Sequence, residues 1–209
     1  MSLTGHKSTV RSVCFEYNNE QHLASGGLGE GTVRIWDTEN GNVTSRLEGH
    51  KDAIYSIKAL PNGSGFVSVG MDKTIRIWDV RQGVQARVID AKEFSPINDV
   101  AICTEYPNGE VTGICHTDGT VSMWDLTSGK MIMRVKNHSE EARSISFSSD
   151  GVYRATGSFD KTIKITKTLS EKEEAVLHHD DRVVCVKWHP FLPMLVTSSA
   201  DFTARVWTI

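Results

Sequence analysis

A phrase ending in Trp-Asp recurs along this chain at a nearly fixed interval. Its fullest copy opens with Gly49-His50 and closes with Asp72-Lys-Thr-Ile-Arg-Ile-Trp78-Asp79. The closing position recurs at Trp36, Trp124, Thr166 and Trp207, so successive copies stand 42, 46, 42 and 41 residues apart. A unit of that length cannot bury its apolar face alone and must stack on its neighbours. The interval therefore predicts one continuous repeat region over 1–209, with units at approximately 5–46, 47–88, 89–134, 135–175 and 176–209.

Each unit reads as short strands between turn residues. In the second, Ile54-Tyr-Ser-Ile57 and Gly65-Phe-Val-Ser68 flank the turn signal Pro61-Asn-Gly-Ser64. The strand Thr74–Trp78 sends Ile75 and Ile77 to one face and Arg76 and Trp78 to the other. After Arg81-Gln-Gly83 the run Val84–Ile89 completes a four-stranded antiparallel meander. The first unit reads the same way at Val10–Phe15, Leu23–Gly26, Thr32–Trp36 and Val43–Leu47. Its Gly26-Gly-Leu-Gly-Glu30-Gly31 string imitates a nucleotide loop, but it joins two strands, and a phosphate loop must open a helix.

The Gly-His opening, the Trp-Asp close and the period resemble the WD40-repeat family over essentially the whole chain. That resemblance implies an all-β fold, a WD40 β-propeller, with five blades visible as part of a seven-bladed ring and the last blade lacking its outer strand. It also implies a structural tetrad: His50, Ser68, Asp72 and Trp78 in the second repeat, His138, Thr156 and Asp160 in the fourth, and His179, Thr197, Asp201 and Trp207 in the fifth. Buried Trp and His must find hydrogen-bond partners, and such a chain satisfies all four groups. The first repeat keeps His6 and Trp36 with Glu30 in place of Asp; the fourth has Thr166 in place of Trp. The third keeps Asp118 and Trp124 but reads as lacking the His, with Glu93 near its position. These sets occur once per blade, so they read as structural rather than as catalytic triads.

Composition narrows the function classes. A formal charge of −3 gives no electrostatic reason to expect nucleic acid as a partner. No apolar run approaches a membrane span, and Met1–Gly5 does not open a signal peptide. Cys14, Cys103, Cys115 and Cys185 read as buried reduced thiols, and the sequons at Asn42, Asn62 and Asn137 would matter only in a secretory context. His178, His179 and His189 do not make a metal site, because the tetrad claims one of them. The expectation is no catalytic residue, no metal, no cofactor and no enzyme.

What remains is an interaction scaffold. In a meander blade the turn before the first strand and the turn between the second and third lie at one end. There the register gathers Arg11, Tyr55, Asn98, Arg143 and Val184 from the inner strands, with Met71, Thr117, Phe159 and Arg182 from the turns. Arg, Tyr, Met and Phe are enriched at protein interfaces. The unclosed propeller edge offers a further point of association. The charged run Ser170–Glu174 reads as a solvated turn at the opposite end.

The stretches 113–133, 157–166 (with its Thr166) and 198–208 are similar to nemitin-like, microtubule-associated WD-repeat proteins. That similarity implies protein partners such as microtubule-associated proteins or tubulin, and a cytoplasmic site at the cytoskeleton or a cilium. A scaffold subunit of a nuclear or RNA-processing complex is the alternative.

Overall fold

A computed structural model describes the chain except for Asn18 and residues 106–110. The described residues form nineteen β-strands and no helix. The first sheet runs β1 (Val10–Glu16), β2 (Asn19–Gly27), β3 (Thr32–Asp37) and β4 (Val43–Glu48). The second runs β5 (Ile54–Ala59), β6 (Gly65–Gly70), β7 (Thr74–Asp79) and β8 (Val84–Asp90). The third holds β9 (Ile97–Ile102), β10 (Val111–His116), β11 (Thr120–Asp125) and β12 (Lys130–Lys136). The fourth holds β13 (Ala142–Phe147), β14 (Tyr153–Ser158), β15 (Thr162–Lys167) and β16 (Glu173–His178). The fifth is three-stranded: β17 (Val183–Trp188), β18 (Met194–Ser199) and β19 (Ala204–Thr208). Strand order within every sheet follows chain order, the antiparallel meander of a propeller blade. The expected all-β, WD40-propeller class is the class observed.

The chain divides into two compact units, Met1–Ile97 with the first two sheets and Asn98–Ile209 with the other three. In the first unit Ala24, Val33, Ile35 and Leu47 of one sheet bury against Ile54, Ile57 and Phe66 of the next. In the second, Ala155, Ile163 and Ile165 of the fourth sheet meet Val183, Val186 and Leu195 of the fifth. Each of these Val, Leu, Ile and Phe side chains contributes roughly 1.5–3 kcal/mol by leaving water. The fit is close: a Cβ on Gly157 would stand 2.6 Å from Val183 Cγ1 and 2.8 Å from Val186 Cγ1.

The Trp-Asp pair divides its labour. Trp36, Trp78 and Trp124 are buried, while the Asp that follows opens the next hairpin. Asp37 Oδ1 accepts the N–H groups of Glu39 and Asn40, Asp79 Oδ1 those of Arg81 and Gln82, and Asp125 Oδ1 those of Thr127 and Ser128. One expectation needs correction. All four cysteines are free, but only Cys103 and Cys115 are buried. Cys14 on β1 and Cys185 on β17 are half-buried.

Candidate protein-interaction surface

The polar groups that end each sheet are assembled from three pieces of chain. In the second sheet the Trp78 indole N–H donates to Ser68 Oγ at 2.8 Å, and that hydroxyl lies 2.6 Å from His50 Nε2. His50 Nδ1 then stands 2.9 Å from Asp72 Oδ2. Asp72 also accepts the Lys51 N–H and the Thr74 hydroxyl. Burial pushes the Asp72 carboxyl up, yet the hydrogen bonds and charge from His50 outweigh it and hold the group well below the usual carboxylate range. The fifth sheet repeats the geometry with Trp207, Thr197, His179 and Asp201 at 2.9, 2.8 and 2.8 Å.

The first sheet joins Trp36 and His6 through Ser25, both contacts at 2.6 Å. Glu30 replaces the Asp, 3.3 Å from His6 Nδ1 and 2.9 Å from Arg34 Nη2. Burial raises the Glu30 carboxyl, but the Lys7 N–H and the Arg34 guanidinium bring it down to about 2.

Two sheets depart from the pattern. The third has no histidine before its first strand, as read, but a histidine that ends β10 takes the part instead. Trp124 donates to Ser122 Oγ at 2.8 Å, and His116 Nε2 meets the same oxygen at 2.8 Å. The hydroxyl has moved from the second strand to the third, two residues before the Trp and so on the same face. The visible signal was a serine at that spacing and a histidine ending β10. Glu93, the residue read near the histidine's place, is exposed in the loop before β9. Asp118 accepts the Thr120 N–H and lies 3.9 Å from Arg134.

In the fourth sheet His138 keeps Thr156 at 2.9 Å and Asp160 at 3.0 Å. With no indole present, Asn137 Nδ2 donates to Thr156 Oγ1 at 2.7 Å. Across from Thr166 stands Arg154, fully buried. Burial lowers its guanidinium to about 10.

The end of the sheets that carries these histidines also carries the residues expected at the surface, four of which sit on a shared irregularity. The pairing register slips between Val10 and Ser12, Ile54 and Ser56, Ala142 and Ser144, and Val183 and Cys185. Each slip is a β-bulge, and the residue it leaves without a partner is Arg11, Tyr55, Arg143 or Val184. A bulge bends the strand and re-aims the side chain of the extra residue. In the first unit the Arg11 guanidinium lies 5.5 Å from the Tyr55 ring centre, and the Tyr55 hydroxyl donates to Met71 Sδ at 3.7 Å.

In the second unit Phe159 is flanked by two guanidinium groups, Arg143 at 5.9 Å and Arg182 at 5.2 Å. Arg143 is tied to Asn98 Oδ1 and Glu141 Oε1, both at 3.2 Å, and Asn98 donates to Glu141 at 2.9 Å. Arg182 is exposed, and Val184 is exposed beside it in the chain. Thr117 stands half-buried in the β10–β11 turn. Sequence reasoning missed Phe202, which is fully exposed at φ 67° in the β18–β19 turn. Lys73 and Lys161 hold the same left-handed turn position in other sheets, where a bulky aromatic is unusual.

Of the other histidines, His189 Nδ1 accepts the N–H groups of Phe191 and Leu192, while His178 is exposed.

The family model "WD domain, G-beta repeat" matches residues 1–37, 41–79, 129–167 and 171–208. The unmatched stretch between the second and third segments includes His116 and the relocated Ser122. Among characterised relatives, a guanine nucleotide-binding protein subunit beta from Oryza sativa subsp. japonica is 30% identical over 78% of this chain and 44% of its own length. The nuclear distribution protein nudF of Aspergillus niger is 25% identical over 100% of this chain and 51% of its own. A p21-activated protein kinase-interacting protein 1-like from Danio rerio is 25% identical over 100% and 54%. The chain thus spans about half the length of these relatives.

Proposed function

Because the chain belongs to the WD40-repeat family, we propose that it is a non-catalytic scaffold whose protein partner docks on the Phe159 cluster. The observation that carries this reading is the aromatic ring held between Arg143 and Arg182. Stacking on an aromatic face is worth about 0.5–2 kcal/mol and fixes a guanidinium in advance of binding, so little freedom is lost when a carboxylate arrives. Arg143 is already neutralised by Glu141, whereas Arg182 faces solvent and is the group presented to the partner. The partner chemistry that fits is an acidic side chain beside an apolar one, the second seating against Phe159 and Val184.

The relatives support an interaction role: one bears the name of a subunit and another of an interacting protein. The finer reading, association with microtubules or their associated proteins, rests on the similarity of 113–133, 157–166 and 198–208 to nemitin-like proteins. Co-sedimentation with stabilised microtubules, in the presence and absence of microtubule-associated proteins, tests it. We expect enrichment in the pellet that Arg182→Glu and Phe159→Ala each reduce at least tenfold without shifting the thermal midpoint. Absence from the pellet in both conditions would remove the microtubule reading and favour a scaffold in a nuclear or RNA-processing complex. Unchanged binding by both variants would remove the Phe159 cluster as the site.

A further inference from the structure

Arg154 carries a buried charge that the interaction surface does not use. It stands on β14 at the position where β2, β6 and β18 carry Leu23, Phe66 and Leu195, each across from a Trp. With Thr166 opposite instead of an indole, its guanidinium runs to the β15–β16 end of the sheet. The acceptors it finds are neutral: the carbonyls of Lys167 at 3.2 Å, Thr168, and Ser170 at 2.9 Å, with Met133 Sδ at 3.8 Å. Its Nε, on the same edge of the guanidinium as Nη2, is buried without an acceptor. Glu171 acts on it through space alone. A buried arginine held by carbonyls, with half of one fork edge unused, is prepared for an anion with two oxygens.

The Lys167 carbonyl ends β15 and the other two belong to the turn between β15 and β16, as does a residue that can acquire such an anion. Ser170 contributes the carbonyl that meets Nη2, and its hydroxyl accepts the Lys172 N–H at 3.0 Å. Lys167, Thr168, Leu169 and Ser170 line an open cavity of about 470 Å³, so the turn is reachable from solvent. Glu171, Glu173 and Glu174 follow the serine. Carboxylates one, three and four residues downstream form the charge pattern read by the basic substrate groove of an acid-directed Ser/Thr kinase. Of the other charges on the turn, Lys167 and Lys172 are exposed and Glu173 is engaged by Lys164.

We propose that Ser170 is a phosphorylation site and that its phosphate docks on the Nε/Nη2 edge of Arg154, clamping the β15–β16 turn to β14. In the transfer Ser170 Oγ bonds to the γ-phosphorus of ATP, the bond from that phosphorus to the bridging oxygen of ADP breaks, and the hydroxyl proton passes to the kinase's base. The product gives the buried cation the anionic partner that carbonyls do not supply. The acidic neighbours oppose the new charge, so the clamp depends on Arg154 and not on the turn itself.

The test uses the folded chain, ATP and a purified acid-directed Ser/Thr kinase, with a synthetic peptide covering residues 166–176 as reference. Mass spectrometry is expected to find one phosphate, on Ser170, and none after Ser170→Ala. Titration followed by ³¹P NMR is expected to place the second ionisation of the folded phosphoserine at least about half a unit below the value near 6 of the phosphopeptide. Arg154→Met is expected to return it to the peptide value; where that variant does not fold, the wild-type comparison with the peptide decides alone. Two results would each overturn the proposal: a folded chain left unmodified at Ser170 while the peptide is phosphorylated, or a folded phosphoserine that titrates as the peptide does.

Discussion

The second and fourth sheets solve one problem with different residues. Both must satisfy a buried hydroxyl and a histidine where three pieces of chain meet. In the second sheet an indole supplies the donor, and Gly49 leaves room for it: a Cβ there would lie 3.0 Å from Trp78 Cη2. In the fourth sheet Asn137 stands in Gly49's place and supplies the donor itself, while Arg154 occupies the interior across from Thr166. The exchange is reciprocal. In these two sheets Gly49 goes with Trp78 and Asn137 with Thr166, although the fifth sheet keeps Trp207 with His178 before its histidine. The lesson is that the repeat specifies a hydrogen-bonding function and a volume, and either can be met from a neighbouring position.

The largest effect should come from giving the second sheet the fourth sheet's residue without its supports. Trp78→Thr removes a fully buried ring and leaves Ser68 without its donor, an expected loss of about 3–5 kcal/mol in urea unfolding. The reverse graft should cost less. Thr166→Trp collides with Asn137 and Arg154, an overpacking cost of about 1–3 kcal/mol. The triple change Asn137→Gly, Arg154→Leu and Thr166→Trp should recover most of it; three independent, additive losses would show that the positions are not coupled.

Smaller again is Asn137→Ala, which removes one hydrogen bond to Thr156 and should cost about 0.5–1.5 kcal/mol by the same measurement. Acid should separate the two sheets least, because both keep the His–Asp end. Burial raises Asp72 and Asp160, but their histidines and neighbouring donors hold both well below the unfolded value of about 3.9. The stability they supply is therefore full above about pH 5 and is lost as pH falls through the folded value. Amide exchange in β6 and β14 should accelerate together between about pH 4 and pH 2. Acceleration in one strand alone would show that the shared carboxylates are not what acid attacks.

The strands themselves were legible because period and turn chemistry act locally. Thr74–Trp78 and Val84–Ile89 lie within one residue of β7 and within one of β8 at their ends. The end of the strand at which Arg143 and Tyr55 stand was legible too, because the turn signals show where β13 and β5 begin and both residues follow directly on that start. Three features were not. His116 and Ser122 reach Trp124 across a hairpin, a diagonal that spacing from the preceding Gly-His position does not encode. Asn137 reads only as part of a sequon until its burial is known. Arg154 draws no reading at all, since nothing in the sequence ties it to Thr166 until the β14–β15 register sets the two opposite. In each case the missing information is a neighbour's volume.

The bulges in β1 and β13 have a consequence for how the sheets come apart. The residue after the extra one turns its side chain outward across the gap. Ser12 Oγ accepts the Ile57 N–H at 3.0 Å and Ser144 Oγ accepts that of Val186 at 3.3 Å, and Asp99 Oδ2 of β9 likewise accepts that of Ile145 at 3.1 Å. Backbone amides of one sheet are thus closed by side chains of the sheet before it. Local opening of a single sheet exposes an orphaned amide in the next, so fluctuations within each compact unit propagate from sheet to sheet instead of staying confined. The amides of Ile57, Ile145 and Val186 are the natural reporters of that spread, and the irregularity that presents Arg143 to a partner is the same one that makes its sheet answer to its neighbour.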